Sequence, residues 1–270
     1  MNNNQTISLT FGDCGENHVG MEKVGNLVKK GQGFNIADLN NYITKFSNTN
    51  KCELYNLKDL LDEKEIKNKE FIEDAYLLVI KNGLKTLLNL TSNNIEELIQ
   101  EMNSFEWDRK YYDIRRQKVL NKNARANVCF GNISCEPDYE KRKGRIVSYD
   151  SIPVMKNLKI NMEKYLGPKA QNMICEGNKY FDLKKCGIGY HGDSERRKVI
   201  AFRLGSKMNL HYNWFFESKN VGNTLKLTLE SGDMYIMSEK AVGTDWKKRN
   251  IYTLRHSAGL ENSKYLKLKY

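Results

Sequence analysis

Six short β-strand patterns follow Pro168, and they constrain the fold more than any other feature of the sequence. They are rich in Ile, Val, Tyr, Phe and Trp, and Gly, Asn and Ser separate them. The runs are Val199–Leu204, Leu210–Phe216, Leu225–Leu229, Met234–Met237, Ile251–His256 and Tyr265–Tyr270. Regular short strands without intervening helices are typical of an antiparallel sandwich or barrel. The sequence therefore predicts a β-sandwich of the jelly-roll type.

The first hundred residues carry a different pattern. After a short opening strand at Thr6–Phe11, the apolar side chains of Phe71–Leu88 are spaced as on a helix. The segment Ser92–Leu98 supplies capping residues before another short helix. We therefore expect an α+β protein in which a mostly helical N-terminal region, residues 1–104, precedes a jelly-roll domain, residues 105–270.

Composition excludes several classes of protein. The chain has 270 residues, of which 40% are apolar, so a largely disordered chain is not expected. No apolar run approaches the roughly 18 to 20 residues that a membrane-spanning helix needs. The segment Met1–Leu9 has neither the basic nor the apolar part of a secretory signal. We expect a cytoplasmic or nuclear protein that is not secreted and does not enter a membrane.

Positive charge is concentrated in the second part of the chain. Residues 101–270 carry 33 basic and 19 acidic side chains, whereas residues 1–100 carry 11 and 14. Such an imbalance attracts phosphate-rich partners, although it also serves solubility alone. The basic and aromatic residues of interest are Arg109, Lys110, Tyr111, Tyr112, Arg115, Arg116, Lys118 and the run Lys141–Arg145. They indicate a nucleic-acid partner or, alternatively, a solvated basic surface.

A His-x-Asp pair in Cys186–Gly205 is the main candidate for a functional site. On an extended strand, His191 and Asp193 leave the same face, so both can bind one metal ion. An isolated pair of this kind is also common as a simple hydrogen-bonded contact. Here, glycines that allow close approach of a ligand precede it, and an apolar strand follows it. This context favours metal binding.

A second histidine would complete the two-histidine, one-carboxylate facial triad that holds Fe(II) and leaves positions open for other ligands. The chain has four histidines, and His256 lies far downstream in the strand pattern Ile251–His256. The predicted metal ligands, and with them the catalytic residues, are His191, Asp193 and His256.

These residues resemble a known superfamily. The His-x-Asp pair, the run Gly232–Met237 and the late segment Leu254–Gly259 are similar to the Fe(II)- and 2-oxoglutarate-dependent dioxygenases. The resemblance covers roughly residues 125–270. It implies a double-stranded β-helix core, Fe(II) as cofactor, and 2-oxoglutarate and O₂ as co-substrates. Asn178 and Tyr180 resemble the Asn-x-Tyr element with which AlkB-like nucleic-acid demethylases contact 2-oxoglutarate.

Two branches of the superfamily suggest different anchors for the far carboxylate of 2-oxoglutarate. The AlkB-like pattern has a histidine near Ala241–Gly243 and then two arginines six apart, which Arg249 and Arg255 match, but this chain has no histidine there. The prolyl-hydroxylase-like pattern has a lysine after its distal histidine. We favour this second register, with His256 and Lys264, because the first leaves the metal one ligand short. Since neighbouring strand residues face opposite ways, Arg255 then points away from the metal.

The resemblance implies oxidation of a C–H bond in a macromolecular substrate. The favoured reaction is AlkB-like oxidative demethylation of nucleic acid, because a basic and aromatic surface suits binding of a base taken out of its stack. Hydroxylation of a protein is the alternative, since the His256 and Lys264 register is closer to that branch. A non-catalytic nucleic-acid-binding protein on a decayed β-helix is a third reading, which the retained ligand set disfavours.

Overall fold

The computed structural model describes residues 4–62, 66 and 72–260. Within them the chain forms a mixed α/β structure made mostly of strands. The strands are β1 (Thr6–Gly12), β2 (Cys14–Glu16), β3 (Lys23–Gly25), β4 (Cys52–Asn56), β5 (Tyr76–Ile80), β6 (Lys110–Asp113), β7 (Lys118–Asn121), β8 (Ala126–Gly131), β9 (Ile146–Ser148), β10 (Ile174–Tyr180), β11 (Ile188–His191), β12 (Val199–Gly205), β13 (Met208–Phe216), β14 (Lys219–Leu229), β15 (Met234–Met237) and β16 (Thr253–Gly259). The helices are α1 (Ile36–Phe46), α2 (Gly83–Asn89), α3 (Ile95–Met102), α4 (Pro153–Leu166) and α5 (Glu239–Val242).

Two sheets form the body of the described structure. The first has eight strands in the order β4-β5-β15-β12-β1-β10-β8-β9, and the second has four in the order β11-β16-β13-β14. All of their pairs are antiparallel except β8 with β9. Two separate hairpins, β2–β3 and β6–β7, complete the strands. This arrangement confirms the predicted β-rich sandwich, although its strands come from the whole chain.

Strand alternation divides the core into two layers. On β12, Ile200 and Phe202 pack with residues of α1 to α4, while Val199 and Ala201 pack against the second sheet. Trp214 of β13 belongs to this second layer, where it is fully buried. The helices thus cover one face of the large sheet, and the small sheet covers the other. Polar residues placed on the inner face of the large sheet therefore lie between the two sheets.

The prediction of a mostly helical N-terminal part is wrong. Strand β1 lies between β10 and β12, and β5 lies between β4 and β15. The large sheet thus crosses the boundary predicted at residue 104. Within Phe71–Leu88, the run Tyr76–Ile80 is a strand, and only Gly83–Asn89 is helical. A strand buried on both faces is apolar at consecutive positions, so its sequence is compatible with a buried helix as well.

Other local predictions are confirmed. The opening strand is β1, and five of the six late patterns coincide with β12 to β16. The sixth, Tyr265–Tyr270, lies outside the described residues. Asn94 and Glu97 form a capping box at the start of α3, as the capping residues in Ser92–Leu98 indicate. No helix in the described part of the chain is long and apolar enough to span a membrane.

The position of β1 predicts unequal effects from two Leu→Ala substitutions. Leu9 is fully buried in the centre of the large sheet, whereas Leu90, after α2, is 53% exposed. We expect Leu9→Ala to lower the free energy of unfolding by about 2–5 kcal/mol. We expect Leu90→Ala to change it by less than ~0.5 kcal/mol. Urea unfolding followed by circular dichroism measures both, and equal effects would contradict the central placement of β1.

Candidate metal centre

The pairing of β11 with β16 brings two distant histidines together. His191 ends β11 and lies directly opposite His256 in the antiparallel register. Their imidazole centroids are 4.5 Å apart. Asp193 follows two residues after His191 in the turn that leaves the strand. The structure thus brings together the three residues that the sequence predicts as metal ligands.

The potential ligand atoms of the three side chains face one another. Asp193 Oδ1 lies 3.6 Å from Nε2 of His191 and 3.7 Å from Nε2 of His256. Each of the three residues offers one ligand atom, and these three atoms all lie within 4.8 Å of one another. Among the described residues, no other group of three or more His, Cys, Asp and Glu side chains has this geometry.

Hydrogen bonding at His191 and burial at His256 leave each imidazole in a form that can bind a metal ion. His191 Nδ1 lies 2.8 Å from the carbonyl oxygen of Gly189, so it carries the proton and leaves the Nε2 lone pair free. His256 is buried, and burial lowers its pKa well below the usual value, with smaller contributions from the charges of His191 and Arg196. Its ring is therefore neutral at pH 7, which is the form that binds a metal ion.

The turn that carries Asp193 is held against the end of α5. The Asp193 amide donates to the Val242 carbonyl at 3.0 Å. Gly192 lies so close to this segment that a Cβ atom on it would be 2.1 Å from the carbonyl oxygen of Gly243. The central position of the His-x-Asp motif therefore needs glycine in this fold.

Arg196 lies next to the Asp193 carboxylate, on the side away from the histidines. Its side chain is buried and donates hydrogen bonds to Glu176 and Glu195. Its Nε lies 3.7 Å from Asp193 Oδ2, the oxygen that does not face the histidines. One carboxylate oxygen of Asp193 is thus directed to the arginine and the other to the imidazoles.

A cavity of about 420 Å³ opens beside the three ligands, between the two sheets. Asn178 and Tyr180, which the resemblance predicts as cofactor-binding residues, line it from β10. The side-chain amide oxygen of Asn178, Oδ1, accepts hydrogen bonds from Arg125 Nε at 2.5 Å and from Asn127 Nδ2 at 2.6 Å. Tyr180 is 4% exposed, and burial raises its pKa, so its phenol stays protonated.

Arg203 is the site residue that the sequence analysis missed. It lies on β12, is 1% exposed and lines the same cavity. Its Nε and Nη1 atoms are buried without a hydrogen-bond partner among the described residues. The sequence does contain a sign of this residue, since Arg203 is the single charged residue in the apolar run Val199–Leu204. A cation in a buried strand requires an anionic partner.

The other predicted anchors lie elsewhere. The guanidinium of Arg255 stacks over the rings of Phe215 and Trp246, 4.1 Å and 5.2 Å from their centroids. It occupies the face of β16 opposite to His256, as strand alternation requires. Arg249 is exposed, and neither arginine lines the cavity. Lys264 lies outside the described residues.

Comparison with known proteins identifies a viral relative of the chain. No family model matches the chain. A protein of Acanthamoeba polyphaga mimivirus, "Uncharacterized protein R156", is 45% identical to it over 258 residues. The match covers 95% of this chain and 96% of the relative. The chain belongs to the family of this mimivirus protein. The name of this relative states no activity.

The close approach of Gly192 predicts a specific loss of metal affinity. In Gly192→Ala the new methyl group would collide with the Gly243 carbonyl and displace Asp193. In Gly15→Ala the nearest atom would be 3.4 Å away, so this variant serves as the control. Equilibrium dialysis against Fe(II) under anaerobic conditions should give weaker binding only for Gly192→Ala. Unchanged affinity in that variant would contradict the described turn.

Proposed function

We propose that this protein is an Fe(II)- and 2-oxoglutarate-dependent dioxygenase built on a double-stranded β-helix. One observation carries the proposal: two imidazoles and a carboxylate converge beside a cavity that also contains a buried guanidinium without a described partner. The two-sheet sandwich supports the jelly-roll assignment, and both histidines come from adjacent strands of its smaller sheet.

The donor set fits a ferrous ion. Two neutral imidazoles and one carboxylate on one side of an ion form the facial triad, which leaves the remaining positions for co-substrates. Residues of two strands and one turn supply these donors, so the folded chain itself sets their spacing. His191, with its Nδ1 fixed by the Gly189 carbonyl, and Asp193, next to Arg196, would be held in orientation before the ion binds.

Arg203 fits the far carboxylate of 2-oxoglutarate. A buried guanidinium without an anion is costly, and a carboxylate accepts two parallel hydrogen bonds from its planar edge. Ser8 of β1 lies between Arg203 and Asn178 in the strand register, and it lines the cavity with both. These polar groups lie on the inner face of the large sheet, so they can hold one end of a dicarboxylate. We therefore assign the anchor to Arg203 in place of Arg255 and Arg249.

When bound, the iron would supply oxidation of a C–H bond at the expense of O₂ and 2-oxoglutarate. The chain's own residues orient the reactants and exclude water. Leu210, Met237 and Ala258 are buried and line the same cavity with apolar side chains, which would exclude water from the part they cover. Asn178 and Tyr180 would steady the co-substrate from β10.

A basic hairpin at the cavity entrance favours a nucleic-acid substrate. The strands β6 and β7 and their turn expose Lys110, Arg115, Arg116 and Lys118. Tyr111 of this hairpin stacks on His18, with ring centroids 3.7 Å apart, and His18 lines the cavity with the exposed Val19. Phosphates bound by the hairpin would therefore lie beside the entrance. We propose oxidative demethylation of a nucleic acid as the reaction.

The proposed role of Arg203 predicts that its substitution weakens 2-oxoglutarate binding, whereas substitution of Arg255 does not. Arg203→Gln should weaken 2-oxoglutarate binding at least about tenfold, because a charge-assisted contact is replaced by a neutral one. Arg255→Gln removes the same charge outside the cavity and is the matched control. Calorimetric titration of the metal-loaded protein measures binding, and succinate formation measures turnover.

Two results would contradict the proposal. The first is an unaltered 2-oxoglutarate affinity in Arg203→Gln, which would remove the assigned anchor. The second is the absence of succinate from wild-type protein supplied with Fe(II), 2-oxoglutarate and O₂. If the protein binds the ion but forms no succinate, it is a metal-binding protein and the proposed dioxygenase activity is rejected.

The hairpin makes a separate prediction about nucleic acid. The double variant Arg115→Gln/Arg116→Gln should bind a single-stranded oligonucleotide about tenfold more weakly. Its plot of log affinity against log salt should be less steep by about 1.4, because each lost phosphate contact accounts for about 0.7 on single strands. Lys85→Gln/Lys164→Gln removes two exposed charges from α2 and α4 and should leave both quantities unchanged. If both double variants behave alike in fluorescence anisotropy, the hairpin is not the contact.

A further inference from the structure

A second cavity, of about 530 Å³, lies on the opposite face of the strand that carries Asn178 and Tyr180. Lys179 stands between these two residues, so its side chain leaves the other face of β10 and lines this cavity. Gly177 shares that face, and its missing side chain leaves room for Trp107, whose ring would be 2.8 Å from a Cβ atom there. Trp107 forms one wall of the second cavity. None of the three metal ligands takes part in it.

Two cations in this cavity rest on aromatic rings instead of on carboxylates. Lys179 Nζ lies 5.7 Å from the ring centroid of Trp107 and donates to Asn103 Oδ1 at 2.8 Å. The Arg109 guanidinium lies 4.2 Å from the ring centroid of Phe181. Within the described part of the chain, neither cation forms an ion pair. A nearby arginine of the same cavity, Arg145, behaves differently, because it pairs with Glu136 and Glu106.

The two unpaired cations also act on each other. Burial lowers the pKa of Lys179, and the positive charge of Arg109 lowers it further. Both side chains line the same cavity, Lys179 half-buried and Arg109 exposed, and this pair of like charges disfavours the charged form of the lysine. An anion between Lys179 and Arg109 would offset both the burial of the lysine charge and the repulsion between the two cations. The aromatic rings hold the cations in place before any ligand arrives.

We propose that the cavity of Lys179 and Arg109 binds a phosphate group of a nucleotide or of a nucleic-acid strand. A phosphate offers several acceptor oxygens, which suit the three donors of an ammonium and the planar edge of a guanidinium at once. The volume exceeds that of a phosphate alone and falls within the usual range for small-molecule pockets, about 300–1,000 Å³. Lys110, at the start of the basic hairpin, also lines the cavity and adds to its positive potential.

This site is independent of the proposed oxidation, and its test uses the full-length chain without metal. Binding is followed by tryptophan fluorescence, because Trp107 forms a wall of the cavity. The probes are inorganic phosphate, adenosine 5′-monophosphate, adenosine and a short single-stranded oligodeoxynucleotide. We expect at least one phosphate-bearing probe to bind and adenosine not to bind. His191→Ala, which alters only the metal centre, should bind as the wild type does.

Substitution of the two cations tests their role. Lys179→Met and Arg109→Gln should each weaken binding of the phosphate probe about tenfold, since each removes a charge-assisted hydrogen bond. Lys179→Arg keeps the charge and should retain binding within about threefold, which separates loss of charge from a failure to fold. Circular dichroism of each variant verifies that the chain is folded.

The probes distinguish the two sources of phosphate. Binding of adenosine 5′-monophosphate that depends on Lys179 and Arg109 indicates a free nucleotide. Binding of the oligodeoxynucleotide alone, with the same dependence, indicates a strand backbone. The proposal is overturned if no phosphate probe binds, or if Lys179→Met binds as tightly as wild type. It is also overturned if Arg115→Gln/Arg116→Gln abolishes binding while Lys179→Met and Arg109→Gln leave it intact.

Discussion

The pairing of β11 with β16 is the constraint on which the candidate site depends. It places His191 opposite His256, and the turn after β11 returns Asp193 to the same point. Strand residues alternate between faces, so a shift of one residue would turn His256 away from the cavity and bring Arg255 toward it. On the other side of β16, Trp214 of β13 lies opposite Leu254 and is fully buried. The chain that leaves β11 passes close to the end of α5, because a Cβ atom on Gly192 would be 2.1 Å from the carbonyl oxygen of Gly243.

The large sheet supplies the other half of the site. Its first strand, β1, pairs with β10 on one side and β12 on the other, so Ser8 lies between Asn178 and Arg203. Residues from both ends of the chain therefore line one cavity. The same sheet separates the metal centre from the second cavity, because Lys179 and its neighbours on β10 face opposite ways. One strand thus contributes to a proposed co-substrate site and to a proposed phosphate site.

The sequence predicted the late strands, the two histidines and the aspartate, because strand alternation and metal-ligand chemistry are local or pairwise properties. Asn178 and Tyr180, which were named from their resemblance to a known element, line the cavity, and their contact with 2-oxoglutarate stays a prediction. Prediction from the sequence failed where long-range pairing decides the outcome. Tyr76–Ile80 is apolar at successive positions, and only its place between β4 and β15 makes it a strand. Arg203 was missed because its importance comes from burial without a partner among the described residues, which a sequence pattern does not reveal.

In the proposed metal centre, three side chains hold one divalent ion. The most direct measurement is the amount of Fe(II) retained per chain after anaerobic gel filtration, in the wild type and in His256→Ala. We expect one ion per chain for the wild type and a large loss for His256→Ala, with the fold of the variant verified by circular dichroism. Equal retention by the two proteins, or no retention by the wild type, would contradict a metal centre formed by His191, Asp193 and His256.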